Sequence, residues 1–203
     1  MKDNIVLIGM PGVGKSTVGV VLAKALGYNF VDADLVIQQQ TGKLLCELIA
    51  EHGTEGFLEI EDEVNSSIEG HKAVIATGGS AVYCANAMEH YKEIATVLYL
   101  SVSYETLEER LGDLKNRGVV LNDGQTLKDL YDERTAYYEK YADVTVNEEG
   151  LSIRETIDAV KEKHPEVTVI GTTGPFYEGT DYEVGWDLAT ELGVPMVDEH
   201  YYV

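Results

Sequence analysis

The chain has 203 residues, of which 44% are hydrophobic, and a formal net charge of -21 at pH 7. That length suits one well-buried domain with an extension and is short for two full domains. The acidic balance argues against nonspecific binding to nucleic acid or to acidic membranes, because both reward clustered Lys and Arg.

No apolar run approaches the roughly 20 residues that cross a bilayer. The start, MKDNIVLIG, has no basic region ahead of a cleavable signal. We therefore expect a cytoplasmic protein. Cys46 and Cys84 lie in no metal-binding or redox spacing, so both are predicted to be buried thiols in a reducing compartment.

Short apolar runs alternate with helical patterns along the first 163 residues. IVLIG at 5–9 is a strand candidate, and a helical pattern then runs from Ser16 to Leu26 with Gly27 as its C-cap. The next strand candidate is YNFVDAD, which ends in aspartates. Further strands are predicted at 73–77, 96–100 and 143–146, and helices at 44–52, 55–69, 84–92, 103–115, 126–141 and 152–163. This alternation predicts an α/β fold with a five-stranded parallel sheet flanked by helices, and ligands at the carboxyl ends of its strands.

The chain changes character after His164-Pro165, which predicts a domain at 1–164 and a C-terminal extension at 165–203. The extension repeats the plan of residues 4–37: a strand ending in Ile-Gly, a Gly-containing loop, a helix closing on Leu-Gly and a strand ending in Val-Asp. It lacks the Gly-Lys-Ser and is too short to bury its own core. Two interpretations stay open, a β-α-β addition to the main sheet or a truncated, degenerate P-loop-like repeat that resembles the start of cytidylate-kinase-like sequences.

Residues 9–16, GMPGVGKS, match the phosphate-binding pattern GxxxxGK[ST] between a predicted strand and a predicted helix. The glycines let backbone N–H groups point into one concavity, and the helix N-terminus adds partial positive charge. Lys15 can reach the β- and γ-phosphates, and the Ser16 hydroxyl can ligate Mg²⁺. The chain is therefore expected to bind a nucleoside triphosphate with Mg²⁺.

Asp32 and Asp34 come at the end of the second predicted strand, beside the phosphate loop. Their spacing of two puts them on one face of a strand. One carboxylate near Mg²⁺ and a second near a substrate hydroxyl would suit phosphoryl transfer to an alcohol. The guanine-selecting Asn/Thr-Lys-x-Asp pattern is absent from the sequence, which argues against a GTPase switch.

Over about residues 4–163 the chain resembles the shikimate kinase family of P-loop kinases. The resemblance rests on GMPGVGKST, FVDAD, TGG at 77–79, a helix ending in ERL, the lid-like NRGVVLNDG at 116–124, and YDERTAYYEKYADVTV at 131–146. It implies ATP and Mg²⁺ as cofactors and a small carboxylate-bearing metabolite as the acceptor, with shikimate going to shikimate 3-phosphate.

The resemblance also implies roles for individual residues. The catalytic residues that it implies are Lys15, Asp34 and Arg117, with Arg117 on the lid. The acceptor is held by Asp34, Gly78, Gly79 and Arg134. Nucleotide binding falls to Gly12, Val13, Gly14, Lys15, Ser16, Thr17 and Arg110, with Arg110 against the adenine, and Mg²⁺ falls to Ser16 and Asp32.

Three positions depart from the family pattern. Leu58 stands where the family has one of two carboxylate-binding arginines, Ser80 replaces a third glycine, and Gly118 replaces the lid proline. A charge-assisted hydrogen bond contributes about 1.5–3 kcal/mol. The missing arginine therefore leaves the identity of the acceptor open.

The acidic stretch GTEGFLEIEDE at 53–63 borders this region. An apolar stripe is predicted to face the core: Phe57, Ile60, Val64 and Ile68. A solvated face is predicted on the other side: Glu55, Glu59, Asp62 and Glu63. Glu61, left without its arginine partner, would either face water or make the acceptor pocket more acidic.

Three functions fit these observations. The first is a kinase for shikimate or a close hydroxy acid, and the second is a kinase of the same fold for a polyol or a less acidic metabolite. The third is a nucleotide-binding regulatory module without catalysis, against which the intact Lys15, Ser16, Asp32 and Asp34 argue. No nucleic-acid or membrane partner is expected, and the oligomeric state is left undetermined.

Overall fold

The fold is that of a computed structural model that describes residues 2–111 and 124–163. Arg117, most of the lid-like segment 116–124 and the extension 165–203 lie outside the described residues. The predictions made for them stay predictions.

Five parallel strands form one sheet in the described part of the chain. They are β1 (Asn4–Ile8), β2 (Asn29–Asp32), β3 (Ala73–Ala76), β4 (Ala95–Ser101) and β5 (Val144–Asn147), in the order β2-β3-β1-β4-β5. All residues of β1 and β3 are buried, as expected for parallel strands covered on both faces. The predicted α/β architecture with a five-stranded parallel sheet is confirmed.

Seven helices cover the sheet within the described residues. They are α1 (Lys15–Leu26), α2 (Ala33–Thr41), α3 (Leu45–Ser66), α4 (Ala85–Ile94), α5 (Tyr104–Leu111), α6 (Leu127–Tyr141) and α7 (Ile153–Lys163), with a short 3-10 helix at Ala81–Tyr83. None of the helices in these two described ranges is long and apolar enough to cross a membrane.

The strand order determines where a ligand can bind. The chain leaves β1 for one side of the sheet to form β2 and β3, and then crosses to the other side of β1 to form β4 and β5. A crevice opens at the carboxyl ends of strands where the winding reverses. Here that point lies between β1 and β3, where Thr77 Oγ1 donates a hydrogen bond to the Leu7 carbonyl at 3.0 Å. The loops that follow β1 and β3 are thereby held side by side.

One local prediction was wrong. The second strand ends at Asp32, whose carboxylate caps α2, so Asp34 lies in the first turn of a helix rather than on a strand face. The break predicted between the helices at 44–52 and 55–69 is present: α3 consists of two helical segments interrupted at Gly53, whose backbone is non-helical with a φ of 71°. Glycine tolerates this φ without a Cβ clash, so the first helical segment ends there and a second one follows.

The two cysteines differ in burial. Cys84 is buried as predicted, whereas Cys46 is exposed. Cys46 lies in the first turn of α3, on the side of the helix away from the core residue Leu48. The prediction that both thiols are buried is therefore wrong for Cys46.

The apolar stripe of α3 packs as predicted. Phe57 and Val64 form a buried cluster with Ile37 of α2 and Leu48, and Ile60 packs against it. On the opposite face Glu55, Glu59 and Glu63 are exposed. Asp62 departs from the prediction because its carboxylate accepts hydrogen bonds from the Asn86 side chain and the Ala87 N–H at 2.7 Å each. It therefore stabilises the N-terminus of α4 instead of only facing solvent.

The close packing of the phosphate loop on the sheet can be tested by a substitution at Gly9, which directly follows β1. Its φ is +148°, and a Cβ there would lie 2.5 Å from the Leu100 carbonyl oxygen. We expect Gly9→Ala to lower the free energy of unfolding by about 2–4 kcal/mol, because backbone strain and a backbone clash act together. Gly27→Ala is the control, since its φ is +67° and its Cβ would meet open space. It should cost only about 1–2 kcal/mol in denaturant unfolding, and equal losses for the two variants would contradict the close packing.

Candidate active site

The loop between β1 and α1 forms a cradle for an anion. Gly12 and Gly14 have φ of +80° and +107°, in the left-handed region that glycine enters without strain. Gly14 precedes α1 directly, and no side chain caps that helix terminus. Its first N–H groups and the positive end of the helix dipole are therefore available for phosphate oxygens.

Lys15 is buried beneath this loop. Its Nζ donates hydrogen bonds to the carbonyls of Gly9 and Met10 at 2.8 and 3.0 Å. Burial lowers the pKa of Lys15 to about 8, although Asp34 and Asp32 act in the opposite direction. A buried amine of this kind is an effective charge for phosphate because little water screens it.

The predicted metal-binding residues are in contact with each other. Ser16 Oγ donates a hydrogen bond to Asp32 Oδ2 at 2.8 Å, while Asp32 Oδ1 accepts from the N–H of Asp34 at 3.1 Å. In the described residues no group of three or more His, Cys, Asp or Glu could hold a metal ion by itself. Mg²⁺ is usually bound by one or two protein oxygens together with substrate phosphates. This hydroxyl-carboxylate pair fits that arrangement.

Asp34, Gly78 and Glu61 converge on one side of the loop that follows β3. A Cβ on Gly78 would lie 2.9 Å from Asp34 Oδ1 and 2.6 Å from Glu61 Oε1. A Cβ on Gly79 would lie 2.6 Å from Pro11 Cδ in the phosphate loop. Only glycine at these two positions lets the backbone approach both the acidic side chains and the phosphate loop. Burial and the neighbouring Asp32 raise the pKa of Asp34.

Arg134 reaches the same region from α6. It is 7% exposed, its Nε donates to the Tyr83 hydroxyl at 3.4 Å, and its guanidinium lies 5.3 Å from the centre of the Tyr83 ring. One turn later Tyr138 donates a hydrogen bond to the Gly79 carbonyl at 2.7 Å. Helix α6 therefore fixes both the arginine and the glycine loop beside it.

Glu61 is fully buried in α3 and is held by the serine that departs from the family pattern. Ser80 Oγ donates to Glu61 Oε2 at 2.6 Å, whereas Oε1 has no hydrogen-bond partner in the described parts of the chain. Burial raises the pKa of Glu61 to about 7, opposed by the Ser80 hydrogen bond and reinforced by Asp34. Leu58 is half-buried one turn earlier. Of the two alternatives for Glu61, the structure excludes the one in which its side chain faces water.

A second pocket lies on the other side of the phosphate loop. It is lined by Gly12, Val13, Gly14, Thr17, Val18, Arg110, Glu148, Leu151, Ile153 and Thr156. Arg110 Nη1 donates to the Val13 carbonyl at 3.1 Å and lies 3.8 Å from Glu148 Oε2. The position of this pocket next to the phosphate cradle suits the base of a nucleotide.

The wall formed by residues 148–156 was not predicted from the sequence. The only signal for it was its position just after the fifth predicted strand, at the edge where ligands bind. Of the predicted site residues, the structure brings Lys15, Asp34 and Arg134 together around Gly78 and Gly79. Arg110 lies in the second pocket, and Arg117 lies outside the described residues.

Glu61 makes stability depend on pH. Its folded pKa of about 7 exceeds the ordinary value of 4.5, so the fold favours the protonated form and loses stability as pH rises from about 4.5 to 7. We expect Glu61→Gln to remove this loss, to stabilise the protein at pH 8 by about 3 kcal/mol, and to have little effect near pH 4.5. The measurement is urea unfolding across this pH range.

Glu59→Gln is the matched control for that experiment, since Glu59 is exposed on the same helix. It should leave the pH dependence of unfolding as in the wild type. A Glu61→Gln variant with the wild-type pH dependence would show that Glu61 is ionised in the folded protein at no cost.

Comparisons with known proteins identify the family of the chain. The shikimate kinase family profile matches residues 11–164. The shikimate kinases of Thermodesulfovibrio yellowstonii and Moorella thermoacetica are 36% and 35% identical to the chain; the alignments cover 81% and 80% of it and 96% and 94% of the relatives. Among solved structures, the shikimate kinase of Acinetobacter baumannii in complex with shikimate has a TM-score of 0.72 and 32% identity, over 81% of this chain and 93% of that one. The chain belongs to the shikimate kinase family.

Proposed function

We propose that the chain transfers the γ-phosphoryl group of ATP to a hydroxyl of shikimate. Its family membership makes it an ATP-dependent kinase. One observation carries the choice of acceptor: Asp34 and Arg134 lie around the same glycine loop, directly beside the buried Lys15. A carboxylate and a guanidinium suit the hydroxyl and the carboxylate of a hydroxy acid. The Acinetobacter baumannii relative described above is a complex with shikimate.

Each residue contributes a separate part of the reaction. Lys15 and the N-terminus of α1 offset the negative charge of the triphosphate, and Mg²⁺ held by Ser16 and Asp32 would neutralise further charge on the phosphates. Asp34 orients the acceptor hydroxyl and can accept its proton, which its raised pKa favours. Arg117 would complete the charge neutralisation when the lid closes and excludes water.

A second acceptor class is favoured by a specific observation. Leu58 supplies no charge, and the buried Glu61 carboxylate points at the side of Gly78 that also faces Asp34. A pocket with this balance would hold a less acidic hydroxy compound or a polyol more readily than a pocket with two arginines. The non-catalytic alternative has less support, because Lys15, Ser16, Asp32 and Asp34 are all present and in contact distance of their partners.

The direct test is ADP release in the presence of ATP, Mg²⁺ and a panel of hydroxy acids and polyols. We expect shikimate to give the highest kcat/KM, with ADP formed in proportion to the acceptor consumed. Lys15→Ala should reduce kcat by at least about 100-fold, because it removes a charge that acts on the transferred group. Tight ATP binding without ADP release for any acceptor would overturn the kinase proposal, and a preference for a polyol would favour the second acceptor class.

Leu58→Arg tests the acceptor more finely. If the acceptor carries a carboxylate, an arginine one turn from Glu61 should add a charge-assisted hydrogen bond and lower its apparent KM by about 10-fold or more. Leu44→Arg is the matched control, because Leu44 is 56% exposed at the start of the same helix. An unchanged or raised KM for shikimate in Leu58→Arg would point to an acceptor without that carboxylate.

A further inference from the structure

Glu148 is a buried carboxylate in the wall of the second pocket. It follows β5 directly, is 3% exposed, and lines the pocket together with the phosphate loop and Arg110. Much of the remaining wall is apolar and consists of the side chains of Val13, Val18, Leu151 and Ile153. A carboxylate set among apolar groups can provide orientation to a flat ligand that those groups contact.

One oxygen of this carboxylate lacks a donor. Within residues 2–111 and 124–163, Glu148 Oε2 accepts no hydrogen bond. The nearest cation within those same residues is Arg110, whose Nη1 lies at 3.8 Å, beyond hydrogen-bond range, and that nitrogen already donates to the Val13 carbonyl. Buried polar atoms are nearly always hydrogen-bonded, because leaving one without a partner costs about 1–3 kcal/mol. The missing donor is therefore expected on the ligand that fills the pocket.

The chemistry of a carboxylate limits which group on the ligand can be that donor. Burial raises the pKa of Glu148, while Arg110 and a hydrogen bond from Thr156 oppose the shift and favour the ionised form. In that ionised form the carboxylate only accepts hydrogen bonds. On the edge of an adenine ring the donor is the 6-amino group, whereas N7 is an acceptor. A base with a carbonyl at this position would place an acceptor against the carboxylate. The guanidinium of Arg110 beside Glu148 can stack on the ring and place its edge at the carboxylate.

We propose that Glu148 accepts a hydrogen bond from the 6-amino group of adenine and so selects adenine nucleotides over those with a carbonyl at that position. This proposal rests on the proposed ATP-dependent function. It assigns to Glu148 a role in nucleotide selection that is separate from phosphoryl transfer, because the second pocket is distinct from the region around Asp34 and Arg134.

The first test uses the wild-type protein and needs no acceptor. Binding of ADP, IDP and purine riboside diphosphate is measured by titration calorimetry with Mg²⁺ present. Hydrogen bonds to charged groups contribute about 1.5–3 kcal/mol, so ADP should bind about 10- to 100-fold more tightly than purine riboside diphosphate, which lacks the amino group. IDP should bind no more tightly than purine riboside diphosphate. Equal affinities for the three nucleotides would overturn the proposal.

The second test is Glu148→Gln. A glutamine amide can accept from an amino group or donate to a carbonyl, so the preference for ADP over IDP should fall to within a few-fold, with IDP binding more tightly than to the wild type. Glu162→Gln, on the exposed face of α7, should keep the wild-type preference. An equal loss of affinity for all three nucleotides in Glu148→Gln would show that Glu148 only positions Arg110.

A further nucleotide, 2′-deoxy-ADP, shows whether the hydrogen-bond donor belongs to the base or to the ribose. We expect 2′-deoxy-ADP to bind the wild type nearly as tightly as ADP. A large loss of affinity that Glu148→Gln abolishes would instead show that the carboxylate accepts from the ribose.

Failure of this proposal is distinguishable from failure of the proposed function. Selective ADP binding without shikimate-dependent ADP release would leave the role of Glu148 standing, whereas no binding of any nucleotide would overturn both.

Discussion

The burial of several charged groups around Lys15 is the constraint on which the rest of the site depends. An amine removed from water loses hydration that its surroundings must replace. Here the carbonyls of Gly9 and Met10 accept its hydrogen bonds, and Asp34 favours its charged form. The loop can offer those carbonyls only because its glycines adopt positive φ. The glycines of the loop are therefore needed both for the phosphate-binding conformation and for the position of Lys15.

The acceptor side shows how a family site changes without losing its framework. Glu61 remains buried although Leu58 offers it no charge, and the Ser80 hydroxyl satisfies one of its oxygens. A buried carboxylate with no partner at all would be far more costly. Ser80 thus explains how the helix α3 keeps Glu61 inside the protein. The same arrangement leaves Arg134 as the arginine that faces this loop in the described residues.

The second pocket contains another buried carboxylate, Glu148, which has a different partner. Arg110 connects Val13 of the phosphate loop with Glu148 after β5, so one side chain links the phosphate cradle to the wall of the second pocket. The two sides of the site therefore follow one principle. An acidic group stays buried because a nearby donor or cation partly compensates it, and in each case one of its oxygens has no hydrogen-bond partner among the described residues.

Features whose signals are local could be predicted from the amino-acid sequence. The phosphate loop, the alternation of strands and helices, the Gly27 cap and the apolar stripe of α3 all follow from spacing over a few residues. Local patterns could not show that Asp32 starts a helix, because two aspartates at the end of an apolar run fit a strand equally well. Tertiary structure alone decided that Ser80 meets Glu61 and that Glu148 meets Arg110, since these pairs lie on separate elements that only the strand order brings together. Burial, which raises the pKa of both carboxylates, exists only once those elements have packed.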